Sequence, residues 1–345
     1  MKRKRKLKVF FTALTVIVSG GLAAVIGVTY GVSGSRVHEP IAGIGVGTVG
    51  DESGTDRVSI LRVMTVNVAH GRGTAASQIL LGGERIRGNL DAVAAVIGRA
   101  RPHVVALQEA DGPSVWSGDF DHVAYLARAA NIPYTVRSAH VDGLRLSYGT
   151  ALLSQLPMSG AKCYTYSPSP LTFSKGFIVA TVDLPGTPAT RVDIVSLHLD
   201  FLRRSVRRRQ IDDTIELLAG RGNELVILGD LNSEWSSNGS MVRQLTTALE
   251  LRVYQPESED LGTFGELDRR LDWVLVSDGL KFHEYRVLPD AVSDHYAVVA
   301  GIGVRAAEQV FPDGDRRHSL ELGLNSHRGN GFADMPSVPV DVAEL

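Results

Sequence analysis

The stretch from Leu225 to Asn232, with the sequence Leu-Val-Ile-Leu-Gly-Asp-Leu-Asn, constrains the fold most. An unbroken run of branched apolar residues is typical of a strand that is buried on both faces. Gly229 lets the backbone turn at the end of this strand, so Asp230 and Asn232 are expected at the rim of a sheet. Their oxygens then face a common point, which suits a divalent cation or a phosphoryl group. Taken alone, Asp-Leu-Asn is also typical of a plain polar turn.

The composition narrows the classes of function. A chain of 345 residues, 44% of them apolar, can form one large domain or two modest ones. Its one cysteine, Cys163, excludes an internal disulfide and a cysteine-rich metal site. Six basic residues lie within residues 1–8, and the rest of the chain has 30 basic against 38 acidic residues, a net charge of −8. Strong general affinity for nucleic acids is therefore not expected, because that affinity comes from Lys and Arg on phosphates.

Residues 9–32 are apolar or small, uncharged, and preceded by the basic segment 1–8. About 20 such residues span a bilayer, whereas a cleaved signal peptide has an apolar region of about 7 to 15. We therefore expect a transmembrane helix that anchors the chain in the cytoplasmic membrane. A cleaved signal peptide, and hence a secreted protein, is the alternative. The basic segment favours the cytoplasm, so the remainder of this single-pass protein is expected outside it.

Three further regions follow the anchor. Residues 33–57 are rich in glycine and serine and are expected to form a flexible linker. Residues 58–305 carry the apolar patterns of a folded domain. Residues 306–345 lack periodic apolar positions and are expected to form a mobile tail.

The folded domain begins with a strand, a helix and a strand. The strands are predicted at Ile60–Asn67 and Val104–Gln108, with a helix through Ile86 and Ile97 between them. Short strands then follow one another from Tyr134 to Leu197, which indicates antiparallel pairing in a mixed sheet. The pattern predicts an α/β sandwich. Further helices are predicted at 121–130, 203–218 and 241–249.

Six predicted strands carry polar residues at one end: Asn67, Glu109, His198, Asp230 with Asn232, Asp272, and Asp294 with His295. Ligands bind at strand ends in open α/β sheets, so these side chains are expected to meet at one site. Taken singly, each could cap a helix, brace a loop or serve as a structural histidine. Their joint occurrence favours a shared site.

The residue types indicate one chemistry. Oxygen ligands without a thiolate favour Mg²⁺, with Mn²⁺ or Ca²⁺ as alternatives. Zinc is not expected, because no pair of histidines has the helical spacing common in zinc enzymes. Two histidines on different strands, His198 and His295, could flank a phosphorus atom, one accepting a proton from water and one protonating the leaving oxygen. Asn67 and Asn232 could orient the water or the phosphate oxygens.

A run of arginines follows His198: Arg203, Arg204, Arg207, Arg208 and Arg209. Such a run is usually a solvated helix face. It also lies close enough to His198 to bind an anionic substrate, and Arg203 and Arg207 are the candidates for that contact.

In chain order, seven short motifs resemble the endonuclease/exonuclease/phosphatase superfamily, whose fold is the deoxyribonuclease-like four-layer α/β sandwich. The resemblance spans Leu61 to Ile302 and implies two packed mixed β-sheets, flanked by helices, that share a cleft in which a phosphoester is hydrolysed. The motifs are Val66-Asn67, Leu107-Gln108-Glu109, Gly149 to Ser154, Ser196 to Asp200, Gly229 to Asn232, Arg270 to Trp273, and Ser293-Asp294-His295.

The resemblance also implies residue roles. Glu109 would bind the metal, with Asn67 and Asp294 nearby. His295 would be the general base, oriented by Asp272.

Two further roles concern the reacting groups. Asp230 and Asn232 would position the attacking water and the phosphate, and His198 would stabilise or protonate the leaving group. A histidine at position 198 is similar to the deoxyribonuclease, sphingomyelinase and inositol-phosphatase branches, whereas abasic-site endonucleases usually carry a tyrosine-containing segment there. The motif with its basic helix is most similar to bacterial sphingomyelinase-like members and to proteins linked to lipid-anchor remodelling.

Together these features predict a membrane-anchored, extracytoplasmic, Mg²⁺-dependent phosphodiesterase, with a lipid head group among its candidate substrates. The alternatives are an extracytoplasmic metal-dependent nuclease and a non-catalytic membrane-bound scaffold. The sequence makes no prediction of the oligomeric state.

Overall fold

The computed structural model describes residues 21, 23–31, 37–44 and 60–305. Its α-helices after residue 60 are α1 (Gly83–Ala100), α2 (His122–Ala129), α3 (Arg204–Leu218) and α4 (Met241–Ala248), and residues 23–31 are also helical. The first seven strands are β1 (Val37–His38), β2 (Ile41–Ile44), β3 (Leu61–Asn67), β4 (Val104–Asp111), β5 (Tyr134–Gly143), β6 (Leu146–Ser154) and β7 (Ser159–Thr165). The others are β8 (Gly176–Leu184), β9 (Thr187–His198), β10 (Glu224–Asp230), β11 (Leu251–Val253), β12 (Asp272–Ser277), β13 (Leu280–Val287) and β14 (Val298–Val304).

The strands form two seven-stranded sheets. Sheet A has the order β13-β14-β3-β4-β6-β5-β2, and sheet B has the order β1-β7-β8-β9-β10-β12-β11. Strands β3 and β4 are parallel, as are β9 and β10, and the other described pairs are antiparallel. Both sheets are therefore mixed, as the sequence predicts.

Alternating side chains within each strand divide the core into layers, because successive residues of a strand point to opposite faces. In β3, Val63 packs between the sheets, whereas Met64 packs on the side of α1 and α2. In β9, Ile194 packs between the sheets, whereas Val195 packs with residues of α3 and α4. The fold is thus a four-layer sandwich of helices, sheet, sheet and helices, which confirms the predicted architecture.

Residues 37–44 differ from the prediction of a flexible linker at 33–57. They add one edge strand to each sheet, with β1 paired to β7 and β2 paired to β5. That part of the prediction is wrong because a sheet edge offers unpaired backbone groups, and an extended segment can pair with them whatever its side chains are. The remainder of the linker, residues 33–36 and 45–57, lies outside the described residues.

Most of the predicted anchor also lies outside the described residues, which include only 21 and 23–31 of positions 9–32. Across the described ranges, no helix has both the length and the apolar character needed to cross a membrane. The basic segment 1–8 and the tail 306–345 are likewise outside the described residues.

Polar contacts between the sheets fix where the strand ends meet. Asn67, at the end of β3, donates a hydrogen bond from Nδ2 to Oδ2 of Asp230, at the end of β10, at 3.1 Å. Gln108 of β4, the residue before Glu109, donates a hydrogen bond from Nε2 to Ser196 Oγ of β9 at 3.1 Å. The carboxyl ends of both parallel pairs therefore lie at one edge of the sandwich.

Candidate active site

Strand register brings the first three polar side chains together. Asp230 is paired with His198 of β9 on one side and with Asp272 of β12 on the other. Gly229 permits this close approach, because its φ is +145° and a Cβ atom there would lie 1.9 Å from the carbonyl oxygen of Leu197.

The turn after β10 fixes Asn232 beside Asp230. Asn232 has a left-handed φ of 47°, which asparagine tolerates better than most residues. Its backbone N–H donates to Asp230 Oδ1 at 2.9 Å, and its side-chain Nδ2 donates to the carbonyl oxygen of Leu199 at 3.1 Å. Both residues of the predicted pair therefore face the cleft from one tight turn.

His295 and Asp272 form a buried pair. Nδ1 of His295 lies 2.8 Å from Asp272 Oδ2, and the same oxygen accepts a hydrogen bond from Thr263 Oγ1 at 2.7 Å. This contact directs the other ring nitrogen, Nε2, towards Asp230 Oδ2 at 3.8 Å. The structure thus places Asp272 where it can orient His295, and the catalytic roles of the two residues stay predictions.

The two histidines of the site have pKa values shifted in opposite directions. Burial lowers the pKa of His295, but the Asp272 and Asp230 carboxylates outweigh burial and raise it to about 10. Burial and the Lys175 ammonium hold the pKa of His198 well below its usual value. Burial raises the pKa of Asp230 to about 7, against the opposing charge of His295. In the metal-free protein His295 is protonated and His198 is neutral.

Glu109 projects into the cleft from an irregularity in β4. Its φ of 51° is left-handed, and the pairing of β4 with β6 shifts register between Leu107 and Ala110. Burial would raise the pKa of its carboxyl, but the surrounding basic groups hold that pKa well below its usual range. These groups are His70 Nε2 at 3.3 Å, Lys175 Nζ at 3.3 Å and Arg72 Nη1 at 3.8 Å. Nε2 of the neutral His198 lies 3.9 Å from the same carboxylate.

The predicted metal ligands divide into two kinds. Arg72 contacts both Glu109 and Asp294, so these two carboxylates share one cationic group. Asn67 instead belongs to the polar network, because its Oδ1 accepts a backbone N–H two residues on, at 3.0 Å, and its Nδ2 donates to Asp230. A position where two carboxylates share a positive charge fits a magnesium ion, which is bound through one or two carboxylates and water.

A second group of ligand atoms also lies close together. One ligand atom each from Asp230, Asp272 and His295 lies within 4.8 Å of the others, and all three residues are buried. Asp272 and His295 are already hydrogen-bonded to each other, and Mg²⁺ prefers oxygen ligands. Glu109 and Asp294, which offer oxygen atoms alone, therefore suit Mg²⁺ better than this second group does.

Three residues of the site were not among the sequence candidates. His70 lies with its Nδ1 2.7 Å from Asp111 Oδ1 and its Nε2 towards Glu109, and Lys175 approaches Glu109 from the chain just before β8. Each has only a weak signal in the sequence, and neither signal indicates a contact with Glu109. His70 follows the tip of β3 by three positions, and Lys175 is one of only three lysines after Lys8. Arg72 likewise lies a few positions after the end of β3.

Arg203 and Arg207 fasten the loops at the mouth of the cleft. Arg203 donates from Nη2 to the carbonyl oxygen of Ser169 at 2.8 Å. Arg207 donates from Nη1 to the carbonyl oxygens of Asp200 at 2.9 Å and Phe201 at 3.1 Å. Their direct contact with substrate stays a prediction.

The free energy of unfolding in metal-free buffer is expected to fall between pH 7 and pH 10. The pKa of His295 rises from about 6.5 in the unfolded chain to about 10 in the folded protein. Its stabilising effect is therefore complete below the unfolded value and is lost as the pH rises through the folded one. Urea denaturation at a series of pH values should show this fall in the wild type and a flatter profile in His295→Gln. Substitution of the exposed His283 by glutamine is the control, and equal slopes in wild type and His295→Gln would contradict the assignment.

Comparison with known proteins places this geometry in context. The model of the Endonuclease/Exonuclease/phosphatase family matches residues 64–295, which include every site residue named above. No curated protein matches the chain in sequence.

Solved structures share the fold. A family protein from Bacteroides vulgatus has 15% identity and a TM-score of 0.56, with 71% of this chain and 99% of that chain covered. One from Beutenbergia cavernae has 22% identity and a TM-score of 0.55, with 72% of each chain covered. One from Leptotrichia buccalis has 17% identity and a TM-score of 0.55, with 70% of this chain and 99% of that chain covered. At these identities the likeness shows the fold alone.

Proposed function

Because the chain belongs to the endonuclease/exonuclease/phosphatase family, we propose that it is a Mg²⁺-dependent phosphodiesterase held on the outer side of the cytoplasmic membrane by residues 9–32. One observation carries this proposal. Nε2 of His198 and Nε2 of His295 lie 3.6 and 3.8 Å from the same oxygen of Asp230. Two buried histidines around one carboxylate, beside an ionised Glu109, suit attack by water on a phosphorus atom and departure of an alkoxide.

Glu109 and Asp294 would hold the divalent cation. Their shared contact with Arg72 supports this placement, because the two carboxylates already accommodate a positive charge between them. When bound, the cation supplies positive charge that offsets the carboxylates and polarises a phosphoryl oxygen.

Asp230, Asn232 and His295 would act on the attacking water. Asp230 and Asn232 orient it from the turn after β10. Asp272 Oδ2 accepts a hydrogen bond from Nδ1 of His295, so Nε2 is the ring atom that takes the proton from water. The Asp272 and Asp230 carboxylates raise the pKa of His295, with a smaller contribution from Asp294. Positive charge held at Asp294 would lower that pKa towards the neutral imidazole that a base requires.

His198 and Lys175 would act on the leaving oxygen. A neutral His198 donates a hydrogen bond and does not deliver a proton as imidazolium, which favours stabilisation over protonation among the two roles implied by the resemblance. The ammonium of Lys175 lies 3.3 Å from Glu109 in the same cleft and adds positive charge on that side.

The proposal is tested with the full chain purified in detergent. It is expected to hydrolyse bis-p-nitrophenyl phosphate with Mg²⁺ and to lose that activity with EDTA. A panel of sphingomyelin and phosphoinositides identifies lipid substrates, and degradation of DNA or RNA on a gel would instead indicate a nuclease. Absence of metal-dependent turnover on every substrate would overturn the proposal and leave the scaffold as the function.

A further inference from the structure

Two loops place large apolar side chains in water at the mouth of the active-site cleft. Leu171, between β7 and β8, is 58% exposed. Phe201 and Leu202, between β9 and α3, are 61% and 54% exposed. Leu171 and Phe201 line a cavity of about 420 Å³ that also has Glu109 and Lys175 in its wall. The exposed apolar surface, which we call the mouth surface (Leu171, Phe201 and Leu202), is therefore continuous with the reaction site.

Hydrogen bonds join the two loops in this exposed form. Leu171 has a left-handed φ of 87°, a costly conformation for leucine that persists only where the surroundings enforce it. Thr172 donates from Oγ1 to Asp200 Oδ2 at 2.5 Å, and Arg203 donates to Ser169 at 2.8 Å. These hydrogen bonds join the two loops and hold their backbones in the form that exposes the mouth surface.

The apolar chain before the domain reaches the same place. Ala24, Val25, Val28 and Thr29 also line the cavity. They belong to the C-terminal part of the uncharged run 9–32, whose length suits a bilayer. The cleft therefore opens where the apolar run ends.

Basic side chains adjoin the mouth surface. α3 begins at Arg204, two residues after Leu202, and Arg204 and Arg208 in its first two turns are exposed and four residues apart. Residues at that spacing share one face of a helix. Apolar residues that enter the boundary between head groups and acyl chains, next to arginines that attract anionic lipids, are the features of an interfacial binding surface.

We propose that the mouth surface, with Arg204 and Arg208, docks on an anionic phospholipid bilayer and presents the cleft to lipid head groups. This inference rests on the proposed hydrolase function and names its substrate class as membrane phosphoesters. A nucleic acid is a poorer occupant, because the three side chains of the mouth surface are apolar and offer no charge to phosphates along a strand.

The docking test needs no turnover. Cys163 is fully buried, and burial raises its pKa to about 11, so a new surface cysteine can be labelled selectively. We would label Leu202→Cys with a polarity-sensitive fluorophore in the full chain and reconstitute it into vesicles of phosphatidylcholine and phosphatidylglycerol. The matched control is Val304→Cys, 42% exposed, at the far end of β14 from His295.

Docking predicts a blue-shifted emission for the label at position 202 and quenching by nitroxide lipids at least about twofold stronger than at position 304. Arg204→Glu with Arg208→Glu should reduce this difference, because it removes the attraction to anionic lipid. Equal quenching at the two positions would overturn the proposal, since both labels share the same anchor. Energy transfer between labels at position 202 of two chains would also overturn it and assign the surface to a second copy.

An activity measurement separates docking from catalysis. Leu202→Asp, which lies outside the cavity lining, should lower hydrolysis of vesicle phospholipid by roughly tenfold. It should leave hydrolysis of bis-p-nitrophenyl phosphate within about twofold of wild type, and Val304→Asp should change neither rate. Equal losses on both substrates would contradict the docking role. If the wild type hydrolyses neither substrate, the proposed function fails, whereas the label measurement still decides whether the surface docks.

Discussion

Replacing His295 with glutamine is expected to lower kcat for a phosphodiester by about 10³-fold, because glutamine cannot accept a proton from water. The side-chain amide of glutamine can still reach Asp272, so the geometry of the pair is largely kept. The measurement is kcat on bis-p-nitrophenyl phosphate at saturating Mg²⁺. KM is expected to change little, because the lost interaction forms only in the transition state.

Two further variants make this expectation specific. Asp272→Asn should lower kcat by at least about a hundredfold, because the asparagine no longer fixes the productive orientation of the His295 ring. His283→Gln changes an exposed histidine of β13 and should leave kcat unaltered. Wild-type kcat in His295→Gln would assign the role of base to Asp230, whose pKa of about 7 suits proton transfer at neutral pH.

Replacing Glu109 with glutamine is expected to raise the Mg²⁺ concentration for half-maximal activity by at least about a hundredfold. Glutamine retains an oxygen but lacks the negative charge that balances Arg72 and the cation. The same variant should lose the increase in melting temperature that Mg²⁺ gives the wild type, because a ligand stabilises the folded protein only where it binds. This second measurement does not depend on turnover.

The controls for Glu109→Gln separate cation binding from folding. Glu216→Gln changes an exposed carboxylate on α3 and should keep both the Mg²⁺ requirement and the melting shift. Asp272→Asn should keep the melting shift while losing kcat. If Asp272→Asn loses the shift and Glu109→Gln keeps it, the cation belongs to the group formed by Asp230, Asp272 and His295.

The sequence predicts the sandwich and the strand-end residues because both depend on local patterns. A buried strand leaves a continuous apolar run, and the residue after it must lie at a sheet edge. Asp230 and Asn232 follow directly from this, and His198 follows from the parallel strand next to it. The order of the motifs along the chain then added His295 and Asp272. In the structure, Nδ1 of His295 lies 2.8 Å from Oδ2 of Asp272.

Other features depend on contacts that no local pattern encodes. Lys175 lies just before β8, and its contact with Glu109 joins residues that are 66 positions apart along the chain. The edge strands at 37–44 arise because the outer strands of both sheets offer free backbone groups, not because of their own residues. The left-handed conformations of Glu109 and His70 likewise follow from the packing around them.

The hydrogen bond between Asn67 and Asp230 has a consequence for how substitutions will act. It joins side chains of the site that lie on sheet A and sheet B, and the apolar layer between the two sheets aligns them. The rate of turnover therefore depends on how accurately the two sheets are aligned. A conservative change between the sheets, such as Ile194→Val, should let one sheet shift slightly against the other and so lower kcat. This loss is expected at temperatures where calorimetry still shows a fully folded protein.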